Sequence, residues 1–224
     1  MRIPLAREGL PFILSTTGAA VVLLLAAAYA GGTILWVVAL CLAVVAAGVL
    51  AFFRDPERHG PRGADLVLAP ADGKVIDIGL VEEASFMKSE SLCVSIFMSL
   101  FDVHVNRYPV TGDVEHRTYD AGRFEPAWRR SASHSNERAS TGIRSSGRSV
   151  LVRQIAGLAA KRIVTYAELG ERVEQGERMG LIRFGSRVEV FLPKGSIPKV
   201  SVGQRAVGGM TVLAQMSAAS EGAE

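Results

Sequence analysis

Two apolar runs, Phe12 to Ala30 and Thr33 to Phe53, contain no charged residue and are separated only by Gly31-Gly32. Each is close to the roughly 20 residues that an α-helix needs to cross a bilayer. Two such helices joined by a tight break make a hairpin with both ends on one side. Arg2 and Arg7 flank the first end; Arg54, Arg58 and Arg62 flank the second. The positive-inside tendency then puts both ends, and the whole C-terminal domain, on the cytoplasmic face of a cell membrane. A cleaved signal peptide fits less well, because a second apolar run follows the first. A re-entrant or surface-lying hairpin is the alternative, since Ala and Gly dilute both runs.

This segment carries the apolar excess of a 224-residue chain that is 49% hydrophobic. The remainder has ordinary globular composition and is long enough to bury a core. A net charge of +3 without a dense Lys/Arg run favours an anionic membrane surface or a phosphate-bearing substrate, and argues against nucleic acid. Cys41 and Cys93 are the only cysteines, so neither a disulfide framework nor a cysteine metal site is expected. No metal is expected at all.

A polar linker with breakers, Arg54 to Gly63, follows the hairpin. Val67–Pro70, Gly73–Ile78, Leu92–Met98 and Val103–Val105 then look like short strands, as do Leu181–Phe184 and Arg187–Leu192. Val150–Val164 reads as a strand, a bend, then a strand or short helix. Arg123–Ser149 is rich in Arg, Ser, Asn and Gly and reads as a long mobile loop, with or without a short helix. The expected fold is mainly β, a sandwich or barrel of short strands preceded by an N-terminal α-helical membrane hairpin. The expected organisation is a hairpin over 1–55, a β-rich domain over 56–216 and a disordered tail over 217–224.

Three motifs carry candidate chemistry. Pro70-Ala71-Asp72-Gly73 is a turn that places a carboxylate at a strand start. In Phe101 to Gly112, His104 and Arg107 precede a proline turn. In Arg183-Phe184-Gly185-Ser186-Arg187 a Gly-Ser pair lies between two strand-like segments. Each is weak alone: Asp-Gly is a common turn, and a second Gly-Ser pair occurs at Gly195-Ser196.

Together, and in this order, they resemble the phosphatidylserine decarboxylase family in its short prokaryotic form. The resemblance runs from about Pro56 to Val212. It is carried by Ala69–Gly73, Asp102–Arg107, Asn136-Glu137-Arg138, Ile155-Ala156-Gly157, Gly176–Gly180 and Arg183–Arg187. The resemblance implies a proenzyme that cleaves itself between Gly185 and Ser186. The products are a large β chain, 1–185, and a small α chain, 186–224, whose first residue becomes a covalent pyruvoyl cofactor. That group would form a Schiff base with phosphatidylserine in the membrane, releasing carbon dioxide and giving phosphatidylethanolamine. Glycine leaves the scissile carbonyl uncrowded and tolerates strain. His104 is the implied base and Asp72 the acid that orients or charge-stabilises it, on the logic of a serine–histidine–acid triad. Arg107, Arg183 and Arg187 are candidates for the substrate phosphate. A homo-oligomer is compatible with this arrangement.

The longer members of the family carry two histidines before the proline turn. Here only His104 stands, and Arg107 occupies the second position; His116 and His134 lie elsewhere in the domain. Two other readings compete. The turns around Asp72-Gly73 and Gly170–Glu177 resemble those of lipoyl and biotin carriers, which suggests a non-catalytic membrane-anchored β module. The other is an inactive relative that keeps the fold.

Overall fold

A computed structural model of the chain describes residues 4–129, 131–157, 162–183 and 185–217. Residues 218–224, most of the expected tail, and Phe184 lie outside the described residues. The chain divides into two compact units, Met1–Glu57 and Arg58–Glu224.

The first unit is a helical hairpin. A 3-10 turn, Arg7–Gly9, leads into α1 (Leu10–Ala30), and α2 (Thr33–Phe52) returns. Gly31 and Gly32 make the break with φ of 69° and 94°. The two ends are tied by Ala6 N–H to Phe53 O (2.9 Å) and Asp55 N–H to Pro4 O (2.8 Å). The buried seam is lined by Ala20, Ala27, Ala39 and Ala46, small residues at heptad spacing that let the helices approach closely. Leu14, Val22, Leu25, Ile34 and Val44 point outward and are exposed. Burying a side chain of this kind gains about 1.5–3 kcal/mol. Leaving five of them in water therefore forgoes as much free energy as stabilises a whole domain. Both helices are long and apolar enough to cross a membrane.

The second unit is mainly β, as the sequence leads one to expect. Its strands are β1 (Leu66–Leu68), β2 (Gly73–Glu83), β3 (Ser89–Met98), β4 (Val105–Arg107), β5 (Gly112–Asp120), β6 (Arg138–Ser145), β7 (Arg148–Ala156), β8 (Ile163–Thr165), β9 (Arg172–Val173), β10 (Arg178–Ile182), β11 (Ser186–Pro193), β12 (Ile197–Pro198), β13 (Arg205–Ala206) and β14 (Val212–Gln215). A four-residue helix, α3 (Ala132–Ser135), precedes β6. The large antiparallel sheet has the order β13-β2-β3-β11-β7-β6-β5-β9, and β1-β14-β12 and β4-β10-β8 form two small sheets. One apolar core joins all three, from Val94, Ile96 and Val190 of the large sheet to Leu213 of β14 and Met179 and Ile182 of β10.

Arg123–Ser149 holds the short helix that the sequence allows, α3, but its second half is not a loop. It is β6 and the turn into β7, paired from Arg138↔Ile155 to Ser145↔Arg148. The connection is Ser146-Gly147, with φ of 48° and 78°, a two-residue turn of the twist that hairpins favour. β6 shows no apolar alternation because polar residues share its buried positions: Ser140, Thr141 and Ser145 are buried beside Ala139 and Ile143.

Candidate active site

Ser186 heads β11 at the middle of the large sheet, opposite Met98 of β3 on one side and Ala156 of β7 on the other. Side chains of a strand alternate between its faces. Ser186 therefore shares the core face with Val188, Val190 and Leu192, while Arg187, Glu189 and Phe191 take the other. Ser186 is fully buried, and its hydroxyl donates to the weak acceptor Sδ of Met98 at 3.3 Å. Gly185 has φ of 57°, a left-handed conformation that glycine adopts without penalty. Its carbonyl oxygen lies so close to Gly157 that a Cβ on Gly157 would overlap it. The carbonyl preceding Ser186 is thus packed against bare backbone.

His104 is brought toward this end of the sheet by a tight turn. After Met98 the chain folds back at Ser99–Asp102, where the Asp102 carboxylate accepts the Ser99 N–H (2.8 Å) and hydroxyl (2.7 Å) and pairs with Arg205. The Asp102 carbonyl accepts a hydrogen bond from Nδ1 of the fully buried His104 at 2.9 Å. A carbonyl only accepts, so this bond assigns the hydrogen to Nδ1 and leaves Nε2 as the basic nitrogen of the neutral ring. The His104 carbonyl in turn receives the Ile182 N–H at 3.4 Å, at the end of β10, four residues before Ser186.

Asp72 has other partners than those expected. Its carboxylate pairs with Arg58 at 2.9 Å and accepts the Gly208 N–H at 2.8 Å. The hydrogen bond at Nδ1 of His104 goes to the Asp102 carbonyl and not to the Asp72 carboxylate. Asp72 is nonetheless close in chain pairing. Leu68 N–H bonds Pro109 O and Arg107 N–H bonds Pro70 O, an antiparallel run that carries Asp72 toward Val105.

The three arginines separate. Arg187 lies on the opposite face from Ser186, where it pairs with Glu189 at 2.7 Å and donates to Ser95 Oγ at 3.0 Å. With both ions 4% exposed, this is an internal ion pair and not a cation offered to a phosphate beside Ser186. Arg107 is also buried, donating to Gly176 O at 2.9 Å, and its stem covers Gly209 beside Arg58. It joins the Asp72 end of the site. Arg183 is half-buried on the connection that leads to Gly185, its N–H bonded to Arg162 O at 3.2 Å.

The residue that sequence reasoning missed is Asn106. Alternation from His104 puts Asn106, and not Arg107, on the same side. Fully buried, it donates to Met98 Sδ at 3.6 Å, the sulfur that Ser186 also uses. Gln154 donates to Asn106 Oδ1 at 2.8 Å and accepts from Thr165 Oγ1 at 3.0 Å. A polar line thus runs through the core from β8 to Ser186. The second Gly-Ser pair has no such setting. Ser196 lies in the turn after β11, where its N–H bonds Pro193 O at 2.9 Å.

The description of the phosphatidylserine decarboxylase family matches residues 45–214, three quarters of the chain. The phosphatidylserine decarboxylase proenzyme of Symbiobacterium thermophilum is 46% identical over 218 residues, covering 96% of this chain and 98% of that protein. Proenzymes of the same name from Aromatoleum aromaticum (42% identical, 95% of each chain) and Nitrosomonas eutropha (46% identical, 94% of each chain) are similar over the same length. The chain belongs to the phosphatidylserine decarboxylase family. Membership supports decarboxylase activity, and a match of this length to decarboxylase proenzymes sets the carrier-like module aside. In this chain His104 stands alone before the proline turn, and Asn106 joins the buried line to the serine.

Proposed function

We propose that the chain is a phosphatidylserine decarboxylase proenzyme that cuts itself between Gly185 and Ser186. It then uses the pyruvoyl group formed at residue 186 to convert phosphatidylserine into phosphatidylethanolamine and carbon dioxide. The observation that carries this reading is a fully buried serine behind a left-handed glycine whose carbonyl is seated against Gly157. An ordinary strand start needs neither the left-handed glycine nor the cleared space.

In the cut, the Ser186 hydroxyl adds to the Gly185 carbonyl carbon while Nε2 of His104 takes the hydroxyl proton. The bond to the Ser186 nitrogen breaks, that nitrogen is protonated, and an ester joins Gly185 to the Ser186 side chain. Loss of the Cα hydrogen of residue 186 expels the Gly185 carboxylate. Water converts the remaining dehydroalanine into a pyruvoyl ketone and ammonia. The Asp102 carbonyl keeps His104 in the required tautomer, and the Asp72 carboxylate favours the imidazolium through its charge.

The surroundings of Ser186 suit a pyruvoyl group: Met98 and Ala156 are its neighbours, and a ketone brings no charge that burial would penalise. When present, that group supplies the electron sink for loss of carbon dioxide. His104 is then the proton donor to the substrate carbon, and Arg183, on the connection to Gly185, is the candidate for the phosphate. Cleavage need not separate the halves, because β11 is paired along its length with β3 and β7. The hairpin of the first unit, with arginines at both ends, holds the enzyme at the cytoplasmic face of the cell membrane.

Intact mass of the purified protein tests the reading. Two chains, 1–185 and 186–224, are expected, the smaller bearing a ketone at its N-terminus. Ser186→Ala should give one uncut chain and no carbon dioxide, whereas Ser196→Ala should cut normally. A single full-length chain from the unsubstituted protein would overturn it.

A further inference from the structure

The second unit carries an exposed apolar tip beside the serine. β3 ends at Met98, opposite Ser186, and the turn that follows is locked by the Asp102 carboxylate. That lock turns Leu100 and Phe101 outward, where they are 53% and 87% exposed. Trp128, 61% exposed, stands edge-on to Phe97, the penultimate residue of β3, with ring centroids 5.9 Å apart. Three large apolar side chains are thus gathered at one strand end by a rigid turn and an aromatic contact. A water-facing surface has no use for such a cluster.

The surroundings are basic. Lys74 lies opposite Phe97 in register, and Arg205 lies opposite Lys74. Arg129 follows Trp128, and its carbonyl is held by Arg187. Lys74, Arg129 and Arg205 are all exposed. The carboxylate among them, Asp102, is buried and already paired with Arg205. Glu125 is half-buried and accepts the Ser131 hydroxyl at 2.7 Å.

We infer that this tip docks onto an anionic phospholipid surface. Phe101 and Leu100 enter the acyl boundary, Trp128 lies at headgroup level, and Lys74 and Arg129 meet lipid phosphates. Tryptophan at the interface and basic residues at an anionic leaflet are the two chemistries such a surface recognises. The chain also supplies its own lipid target at high local concentration, since α2 ends only six residues before the second unit begins. The docking stands on the exposed side chains alone. Its use, bringing a lipid headgroup to the Met98 end of the sheet, rests on the reading of Ser186 given above.

The chain has two tryptophans, Trp36 and Trp128. Full-length protein carrying Trp36→Phe therefore reports on Trp128 alone. It is reconstituted into vesicles of phosphatidylcholine and phosphatidylglycerol, without phosphatidylserine. Lipids brominated near the headgroup end of the acyl chain should quench Trp128 strongly, and the same vesicles should shield it from iodide. Adding Phe101→Asp and Leu100→Asp should abolish the quenching and restore iodide access, with the melting temperature confirming that the variant folds. Trp128 that stays open to iodide and unquenched in vesicles would overturn docking. So would shielding that appears equally in detergent and grows with protein concentration, which marks a second copy as the occupant. Ser186→Ala should dock as the unsubstituted protein does, so a failure of the decarboxylase reading and a failure of docking give different results.

Discussion

The carbonyl oxygen of Gly185 occupies the space where a side chain on Gly157 would begin. The pair faces across β11 and β7, one position beyond Ser186↔Ala156. Overpacking a well-filled site by one methyl group costs about 1–3 kcal/mol. If the displaced group is the reacting carbonyl, that cost falls on the self-cleavage barrier, where about 1.4 kcal/mol is tenfold in rate. Gly157→Ala should therefore slow the conversion to two chains by about tenfold or more while the protein still folds, as followed by intact mass against time.

The line Thr165–Gln154–Asn106–Met98 ends on the Ser186 hydroxyl. Asn106→Leu strands the Gln154 amide in the core, which costs about 1–3 kcal/mol. Met98→Leu keeps the volume and should cost less than about 1.5 kcal/mol. Urea unfolding of the two variants, in the Ser186→Ala background so that both stay uncut, should give that order.

Arg187 tests the separation of the sheet faces. Arg187→Ala leaves Glu189 buried with, among the described residues, Ser133 (2.8 Å) and a distant Arg153 (4.0 Å) to compensate. Removing one member of a buried ion pair costs about 3–5 kcal/mol. The variant should lose stability by roughly that amount in denaturant unfolding, and what folds should keep its KM for the lipid. A raised KM at unchanged stability would return Arg187 to the substrate site.

Glu83 sets an acid limit. Burial disfavours its charged form, but the Ser85 hydroxyl and the Phe86, Met87 and Ser85 amides outweigh this and hold its pKa at about 2, against an ordinary 4.5. A depressed carboxylate stabilises the fold above its unfolded pKa and loses that contribution as pH falls through the folded value. Glu83 should thus supply on the order of 3 kcal/mol above about pH 5, lost progressively between pH 4.5 and 2. Glu83→Gln should be less stable at pH 7, and its stability should fall less over that window, as read by urea unfolding at each pH.

Much of this was legible in the residues. The charge-free runs dictated the hairpin, because an α-helix satisfies its own backbone and needs only length and apolarity to suit a bilayer. Alternation in Arg187–Leu192 marked β11, and the ordered motifs marked the Gly185-Ser186 bond. Strand β6 was illegible because period-2 reading looks for apolar residues, and half of its six buried positions hold Ser140, Thr141 and Ser145. Their burial is acceptable only within the paired hairpin and sheet, which no local window displays.

The division at the site has the same cause. Covalent order alone determined which serine follows which glycine, and which histidine precedes the proline. Partners belong to the folded chain: Asp72 goes to Arg58 and Gly208, His104 to the Asp102 carbonyl, and Arg187 to Glu189 behind the sheet. Neighbours in sequence such as Ser186 and Arg187 part because a strand sends them to opposite faces. Residues as distant as Asn106, Gln154 and Ser186 meet because only strand register, fixed by burying the apolar face, brings them to one place.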